Sequence, residues 1–244
     1  MSASVTPNRV PRVGPFLPSV LVASFLVTPS LLTSLRAAEP LHQQIDRLML
    51  QQELFPAREE TDHLEYTRRV YLDLVGRIPS IEESQTELAQ SENASRREQL
   101  AEQLVSSDEF PRHMARVFDV LFMERRGGSH VKTDDFREWL RQSFAADKPY
   151  PQIVAEMLGA DVSNGLTPPA AFVMERGVES TLLTRDIGRI FFGADMQCAQ
   201  CHDHPLVDDY RMDDYHGISA FVSRLSLFQP DKKKPGTIAE TADG

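Results

Sequence analysis

The sequence predicts an all-α domain with irregular helix packing and the possible start of a small β region at the C-terminus. Three observations support this fold class. Apolar residues recur at spacings of three and four along most of the chain. Glycines, prolines and capping residues separate these segments into lengths typical of helices. The alternation typical of strands does not occur over a useful length before Leu227.

The predicted helices follow one another along the chain, and their ends are set by recognisable signals. Ser80 begins one helix, because Glu83 three residues later completes a capping box. The most apolar helix covers residues 108–123 and ends before Gly127 and Gly128. The other helices are predicted over residues 41–54, 64–75, a segment that Ser95 opens, 133–146, 151–158, 179–192 and 213–225, with a turn-rich loop over 161–169.

The composition is that of a folded, acidic protein. A length of 244 residues allows one or two domains, and 41% hydrophobic residues are enough for a sizeable core. With 26 basic and 36 acidic residues the formal charge is -10, which argues against nucleic-acid binding because phosphate contacts need a basic surface. Two cysteines exclude a disulfide-rich scaffold.

The chain is predicted to have three parts. Residues 1–38 contain three arginines, no acidic residue and an apolar stretch over 16–35, which is typical of a signal peptide or, if uncleaved, a membrane anchor. We therefore expect export to the periplasm or cell surface, with membrane contact only through this segment. Residues 39–228 form the helical domain. Residues 229–244 form a polar tail, which we interpret as the truncated end of a domain.

The segment from Cys198 to His202 is the constellation with the clearest chemistry. Two cysteines three residues apart, followed at once by histidine, are typical of covalent haem c attachment. Each thiol bonds to one vinyl group of the porphyrin, and the histidine becomes the proximal iron ligand. Two cysteines and seven histidines placed at random form this pattern in about 1 sequence in 4,000. The motif predicts an exported haem-binding domain with a role in electron transfer.

Three residues near the motif are candidates for the distal iron ligand: Met212, His216 and Met196. Methionine and histidine are the side chains that occupy this position in c-type cytochromes. A redox partner protein is implied by this role, although the sequence does not identify it.

Two other interpretations of the motif remain open. Cys198, Cys201, Asp203 and His204 could bind zinc or iron, which would make the protein an exported metal-dependent domain, including a hydrolytic one. Alternatively, the two cysteines could form a local disulfide in a scaffold without catalytic activity. The sequence therefore leaves open whether the protein is an enzyme.

Two stretches resemble a known family. Residues 68–79 read RRVYLDLVGRIP, and residues 197–205 read QCAQCHDHP, followed by Asp214, Tyr215 and Phe221. Together they resemble the exported planctomycete cytochrome-associated domain, a domain of unknown function in the N-terminal part of large multidomain proteins. The resemblance covers the chain from Leu41 to the C-terminus. It implies a signal peptide, a cytochrome-like domain upstream and an uncharacterised domain downstream. Neither neighbouring domain is present in this sequence, which implies truncation.

Overall fold

The protein is mostly helical throughout the part of the chain that the structure describes. A computed structural model describes residues 39–51, 61–90, 93–159, 166–231, 233–234 and 236–241. Within these residues, helices alternate with short turns, and one small antiparallel sheet lies near the C-terminus. The predicted fold class is confirmed. The predicted signal peptide or anchor, residues 1–38, lies outside the described residues.

The bounds of the elements agree with most of the sequence signals. The described α-helices are α1 (Leu41–Gln51), α2 (His63–Val75), α3 (Ile81–Leu88), α4 (Ala94–Val105), α5 (Glu109–Met123), α6 (Thr133–Ala145), α7 (Tyr150–Gly159), α8 (Ala171–Met174), α9 (Ser180–Phe191) and α10 (Met212–Val222). Two 3-10 helices, Pro168–Ala170 and Cys198–Gln200, precede α8 and α10. The strands are β1 (Leu225–Phe228) and β2 (Thr237–Glu240).

The C-terminal hairpin shortens the last predicted helix. The helix predicted over 213–225 ends at Val222, and Leu225 begins β1. Strand β1 pairs with β2 so that Leu225 lies opposite Glu240 and Phe228 opposite Thr237. Leu227 and Ile238 pack against the main core, which gives the short strands a buried face. The segment predicted as a polar tail, residues 229–244, therefore contains β2.

The cap predicted at Ser80 is present. The Ser80 hydroxyl accepts a hydrogen bond from the Glu83 backbone N–H at 3.1 Å, and the Glu83 carboxylate accepts one from the Ser80 N–H at 2.7 Å. The preceding helix, α2, ends at Gly76, whose φ of 76° is left-handed. A Cβ at Gly76 would lie 2.2 Å from His113 Nδ1, so glycine allows α2 to approach α5 closely.

Two compact units divide the chain. The first ends at Glu59 and contains α1, in which Arg47 pairs with Glu39 at 2.9 Å. The second begins at Glu60 and contains α2–α10 and the hairpin. In this second unit, α2 and α4 enclose a small cluster of Tyr71, Val75, Leu100 and Leu104. The larger core is formed by α5–α9 with α10 and the hairpin.

A buried ion pair holds α9 in this larger core. The side chains of Arg176 and Asp186 are both fully buried, with Arg176 Nε 2.8 Å from Asp186 Oδ2. The same guanidinium donates to the carbonyl oxygens of Phe172 and Phe122, each at 2.8 Å. Burial alone would raise the pKa of Asp186, but the hydrogen bond and charge of Arg176 outweigh it and lower that pKa. Helix α9 leads directly to the cysteine motif.

Candidate functional site

A sharp reversal after α9 brings the chain back against that helix. Gly193 has a left-handed φ of 66°, and the Ala194 N–H donates to the carbonyl of Gly188 at 3.0 Å. A Cβ at Gly188 would lie 3.1 Å from the Ala194 carbonyl oxygen and 3.6 Å from the Met196 sulfur. The glycine therefore leaves room for the segment that leads to the motif.

The two cysteines lie on one helical turn. Cys198 begins a 3-10 helix, and the Cys201 N–H donates to the Cys198 carbonyl at 3.3 Å. The helix ends at Gln200 and Cys201 is its C-cap, so the two cysteines are one turn apart. Both cysteines are exposed and free, whereas Ala199 between them is fully buried. The turn thus presents both thiols to solvent and is anchored by Ala199.

His202 follows this turn with one ring nitrogen fixed. Its Nδ1 lies 2.7 Å from the backbone carbonyl oxygen of Asp203. A carbonyl oxygen only accepts hydrogen bonds, so Nδ1 carries the proton and Nε2 of the neutral ring keeps its lone pair. The residue is exposed. His202 therefore offers a free Nε2 ligand directly beside two free thiols.

His204 has the opposite arrangement. Its Nδ1 accepts hydrogen bonds from the backbone N–H groups of Leu206 at 3.2 Å and Val207 at 3.1 Å. The proton of the neutral ring therefore lies on Nε2. The His204 N–H donates to the Tyr210 carbonyl at 2.8 Å, and the two rings meet edge to face. His204 organises the loop between the motif and α10.

Asp203 connects the motif to α10. Its Oδ1 accepts a hydrogen bond at 2.8 Å from the N–H of Met212, the first residue of that helix. Across the described ranges, no group of three or more His, Cys, Asp or Glu side chains is placed to hold a metal ion. The four residues of the alternative metal site, Cys198, Cys201, Asp203 and His204, are thus not assembled around a common point in this structure.

The three candidate distal ligands differ in their surroundings. Met196 is 8% exposed and packs in a cluster with Ala194, Ala199 and Tyr215. Met212 is 38% exposed, and His216 four residues later is also exposed on α10. Residues four apart share one face of a helix. Met212 and His216 are therefore accessible, whereas Met196 would have to leave its cluster to bind a metal.

Tyr215 lies behind the cysteine turn and was named from the sequence only among the residues of the family resemblance. It is buried, and burial raises the pKa of its phenol. The negative charges of Glu179 and a Cys201 thiolate would raise that pKa further, while hydrogen bonds with Thr181 and Thr184 lower it. No spacing in the sequence indicates these interactions of Tyr215, because they join residues of α9, the motif and α10.

The surface around the motif is acidic. One arginine, Arg211, lies among six aspartates: Asp195, Asp203, Asp208, Asp209, Asp213 and Asp214. Three of them accept backbone hydrogen bonds: Asp203 from the first N–H of α10, Asp214 Oδ2 from the Arg211 N–H at 3.3 Å, and Asp195 Oδ1 from the Gln197 N–H at 3.3 Å. The excess of carboxylates in this segment favours positively charged partners.

An apolar cavity of about 1000 Å³ lies next to this region. It is bounded by the end of α7, by α9, α10 and the hairpin, and it includes Met196 before the motif and Tyr210 after it. Cys198, Cys201 and His202 do not line it. The thiols and the cavity are therefore separate features of the same surface region.

None of the described helices is long and apolar enough to cross a membrane. Comparison with curated proteins and with solved structures found no significant match. One family model, described as PSCyt2, a protein of unknown function (DUF1549), matches residues 42–226. The match includes the stretch 68–79, the cysteine motif and α10. The chain therefore belongs to the PSCyt2 (DUF1549) family of proteins of unknown function.

Proposed function

We propose that the protein is an exported electron-transfer protein that binds haem c covalently through Cys198 and Cys201, with His202 as the proximal iron ligand. The observation that carries this proposal is the state of the His202 ring. Its Nδ1 proton is held by the Asp203 carbonyl at 2.7 Å, next to two exposed thiols on one turn. A metal-binding histidine commonly donates its second ring N–H to a carbonyl in this way.

The two thiols fit the covalent attachment. Each S–H bond would add across one vinyl double bond, so that sulfur bonds to one carbon and hydrogen to the other. This addition consumes reduced thiols and needs no external oxidant. Because Cys198 and Cys201 are both exposed and one turn apart, both sulfurs would be available to the same porphyrin. The buried Ala199 holds that turn in place while the thiols react.

His202 would supply the axial ligand without rearrangement of its ring. The Asp203 carbonyl fixes the tautomer and limits rotation of the imidazole. Bound haem would provide one-electron redox chemistry. Met212 and His216 are the accessible candidates for the distal position, since both are exposed on α10.

The hydrogen bonds of Asp203 and His204 favour haem over a zinc or iron site. His204 Nδ1 already accepts two backbone N–H groups, and its Nε2 carries the proton. Asp203 Oδ1 already accepts from Met212. Binding a metal through either side chain at these atoms would break the contacts that shape the loop before α10.

The direct test is expression of the full chain with export and haem-attachment machinery. We expect a haem-stained band on a denaturing gel and a c-type pyridine haemochrome spectrum, and we expect the variant Cys198→Ala/Cys201→Ala to lack both. Colourless wild-type protein would overturn the proposal. Stoichiometric zinc or iron without porphyrin would establish the metal site, and the absence of both cofactor and free thiols would establish the disulfide scaffold.

A matched pair of histidine variants tests the role of each ring. His202→Ala should keep covalent haem at reduced yield but lose the low-spin spectrum. His204→Ala should keep that spectrum and lower thermal stability, because two backbone N–H groups of the loop lose their acceptor. If His204→Ala releases a bound metal while His202→Ala does not, the metal interpretation is correct and the haem proposal fails.

A further inference from the structure

The apolar cavity beside the motif extends from the core to the surface. Its floor consists of core side chains that include Val173, Leu183 and Val222, all nearly or completely buried. Its mouth is formed by Phe192 and Phe221, which are 68% and 87% exposed. A volume of about 1000 Å³ is at the upper end of the range for small-molecule sites. Large exposed aromatic side chains at such a mouth mark a binding surface.

Packing alone does not explain why the cavity wall has a glycine at position 217. It lies inside α10, where glycine is less favourable than any other residue except proline. Apart from its chain neighbours and the backbone of its own helix, a Cβ at this position would meet no atom of the described residues within 4 Å, and the φ angle of Gly217 is not left-handed. Neither a close helix contact nor the backbone conformation therefore requires glycine here. Its missing side chain leaves the cavity open.

The rim of the cavity is acidic. Among the described residues that line it, four are carboxylates, Asp209, Asp213, Asp214 and Glu240, and none is a lysine, arginine or histidine. A ligand with an anionic head would be repelled at this rim, whereas a cationic head would be attracted. Because a haem carries two anionic propionates, the charge of the rim also argues against the cavity as the haem site.

We propose that this cavity binds an amphipathic cation, a small molecule with an apolar body and a positively charged head. The apolar body occupies the space between α9 and α10, with Phe192 and Phe221 closing on it. The head lies at the rim near Asp209 and Asp213, which are on the loop before α10 and in its first turn. This site is separate from the thiols and does not depend on haem attachment.

Matched probes test the class of ligand. Decyltrimethylammonium and decanoate both have a ten-carbon chain, counting the carboxyl carbon of decanoate, but differ in head charge, and both can be titrated calorimetrically below the concentration at which they form micelles. We expect saturable binding of the cation with one site per chain and binding of decanoate at least about tenfold weaker. The difference should shrink as salt is added, because the rim is exposed to solvent.

Variants of α10 then locate the site. Gly217→Leu adds a side chain to the wall of the cavity and should weaken binding of the cation about tenfold or more, and helix propensity should keep its unfolding temperature at or above that of the wild type. Ala220→Leu is the control, since this exposed residue of α10 does not line the cavity. Asp209→Asn/Asp213→Asn should keep binding of the cation but reduce its preference over decanoate by about threefold or more.

The outcomes separate this proposal from the haem proposal. The titrations are repeated on Cys198→Ala/Cys201→Ala, where we expect unchanged binding. Equal affinity for both probes, or binding that Gly217→Leu leaves intact, would overturn the proposal. Saturation by a basic amphipathic peptide without binding of decyltrimethylammonium would also overturn it, because the cavity would then be a protein docking groove.

Discussion

Replacing Asp186 tests whether the buried ion pair determines the stability of the helix that carries the motif. The variant Asp186→Asn keeps the shape of the side chain and removes its charge. Arg176 then stays fully buried without a counterion, although it retains its hydrogen bonds to the carbonyls of Phe172 and Phe122. Arg185 and Arg126, at 3.0 Å and 3.3 Å from Asp186, lose the same partner.

The expected loss is a large part of the total stability. Breaking a buried pair by removing one partner costs about 3–5 kcal/mol, because the other charge remains uncompensated. Coulomb's law gives a similar value of about 4 kcal/mol for unit charges 4 Å apart at an effective dielectric constant of 20. Since native domains are stable by about 5–15 kcal/mol, Asp186→Asn should remove about a fifth or more of the free energy of unfolding.

Urea denaturation followed by far-UV circular dichroism measures this loss. The control is Asp134→Asn, which removes the same charge from a side chain that is 93% exposed and 3.3 Å from Arg137, and it should unfold as the wild type does. The double variant Arg176→Met/Asp186→Leu should be more stable than Asp186→Asn, because no buried charge is left unpaired. The reasoning would be refuted if Asp186→Asn lost less than about 1 kcal/mol of the free energy of unfolding. It would also be refuted if the double variant lost as much free energy as the single changes at Arg176 and Asp186 added together.

Two further predictions concern α2 and α3. Gly76→Ala should lower the free energy of unfolding in urea by about 2 kcal/mol, because the new Cβ strains the left-handed backbone and overlaps the His113 ring. Adding His113→Ala should restore the part of the stability lost to the overlap but not the part lost to backbone strain. A Gly76→Ala variant as stable as the wild type would contradict this prediction. Hydrogen bonds from Arg77 lower the pKa of Glu83 from 4.5 to about 2. The ionised Glu83 carboxylate therefore contributes fully to the free energy of unfolding above pH 4.5, and this contribution is lost as the pH falls towards 2. Glu83→Gln keeps the cap but should flatten that part of the stability–pH curve; an unchanged curve would show that Arg77 does not act on Glu83.

Much of the fold follows from local sequence signals. The helix before Gly76 and the capping box at Ser80 are short-range features, because their hydrogen bonds join residues three or four positions apart. Their predicted positions agree with the structure. The hairpin is different, since each strand has only four residues and the pairing joins Leu225 to Glu240 across a turn. Four residues are too few for alternation to be distinguished from chance.

The features of the site also differ in whether the sequence predicts them. The spacing of Cys198, Cys201 and His202 is local chemistry and is readable from the chain. The sequence places His202 and His204 only two residues apart and assigns no hydrogen bond to either. Their difference arises from hydrogen bonds within three residues of each ring, with the Asp203 carbonyl on one ring and the Leu206 and Val207 N–H groups on the other. These bonds depend on the backbone path of the loop, which the spacing of the residues does not give. The cavity is likewise not readable, because distant elements form its walls.

The contacts around the motif explain how a short exposed segment can keep a defined geometry. Cys198 and Cys201 cannot contribute to the core, since both are exposed. The residues between and around them contribute to the core, since Ala199 is buried against Met196 and Tyr215 in the cluster beneath the turn. Asp203 adds a second anchor at the start of α10. The buried residues beneath the turn thus hold its backbone in place, and the thiols on the exposed side stay accessible for reaction.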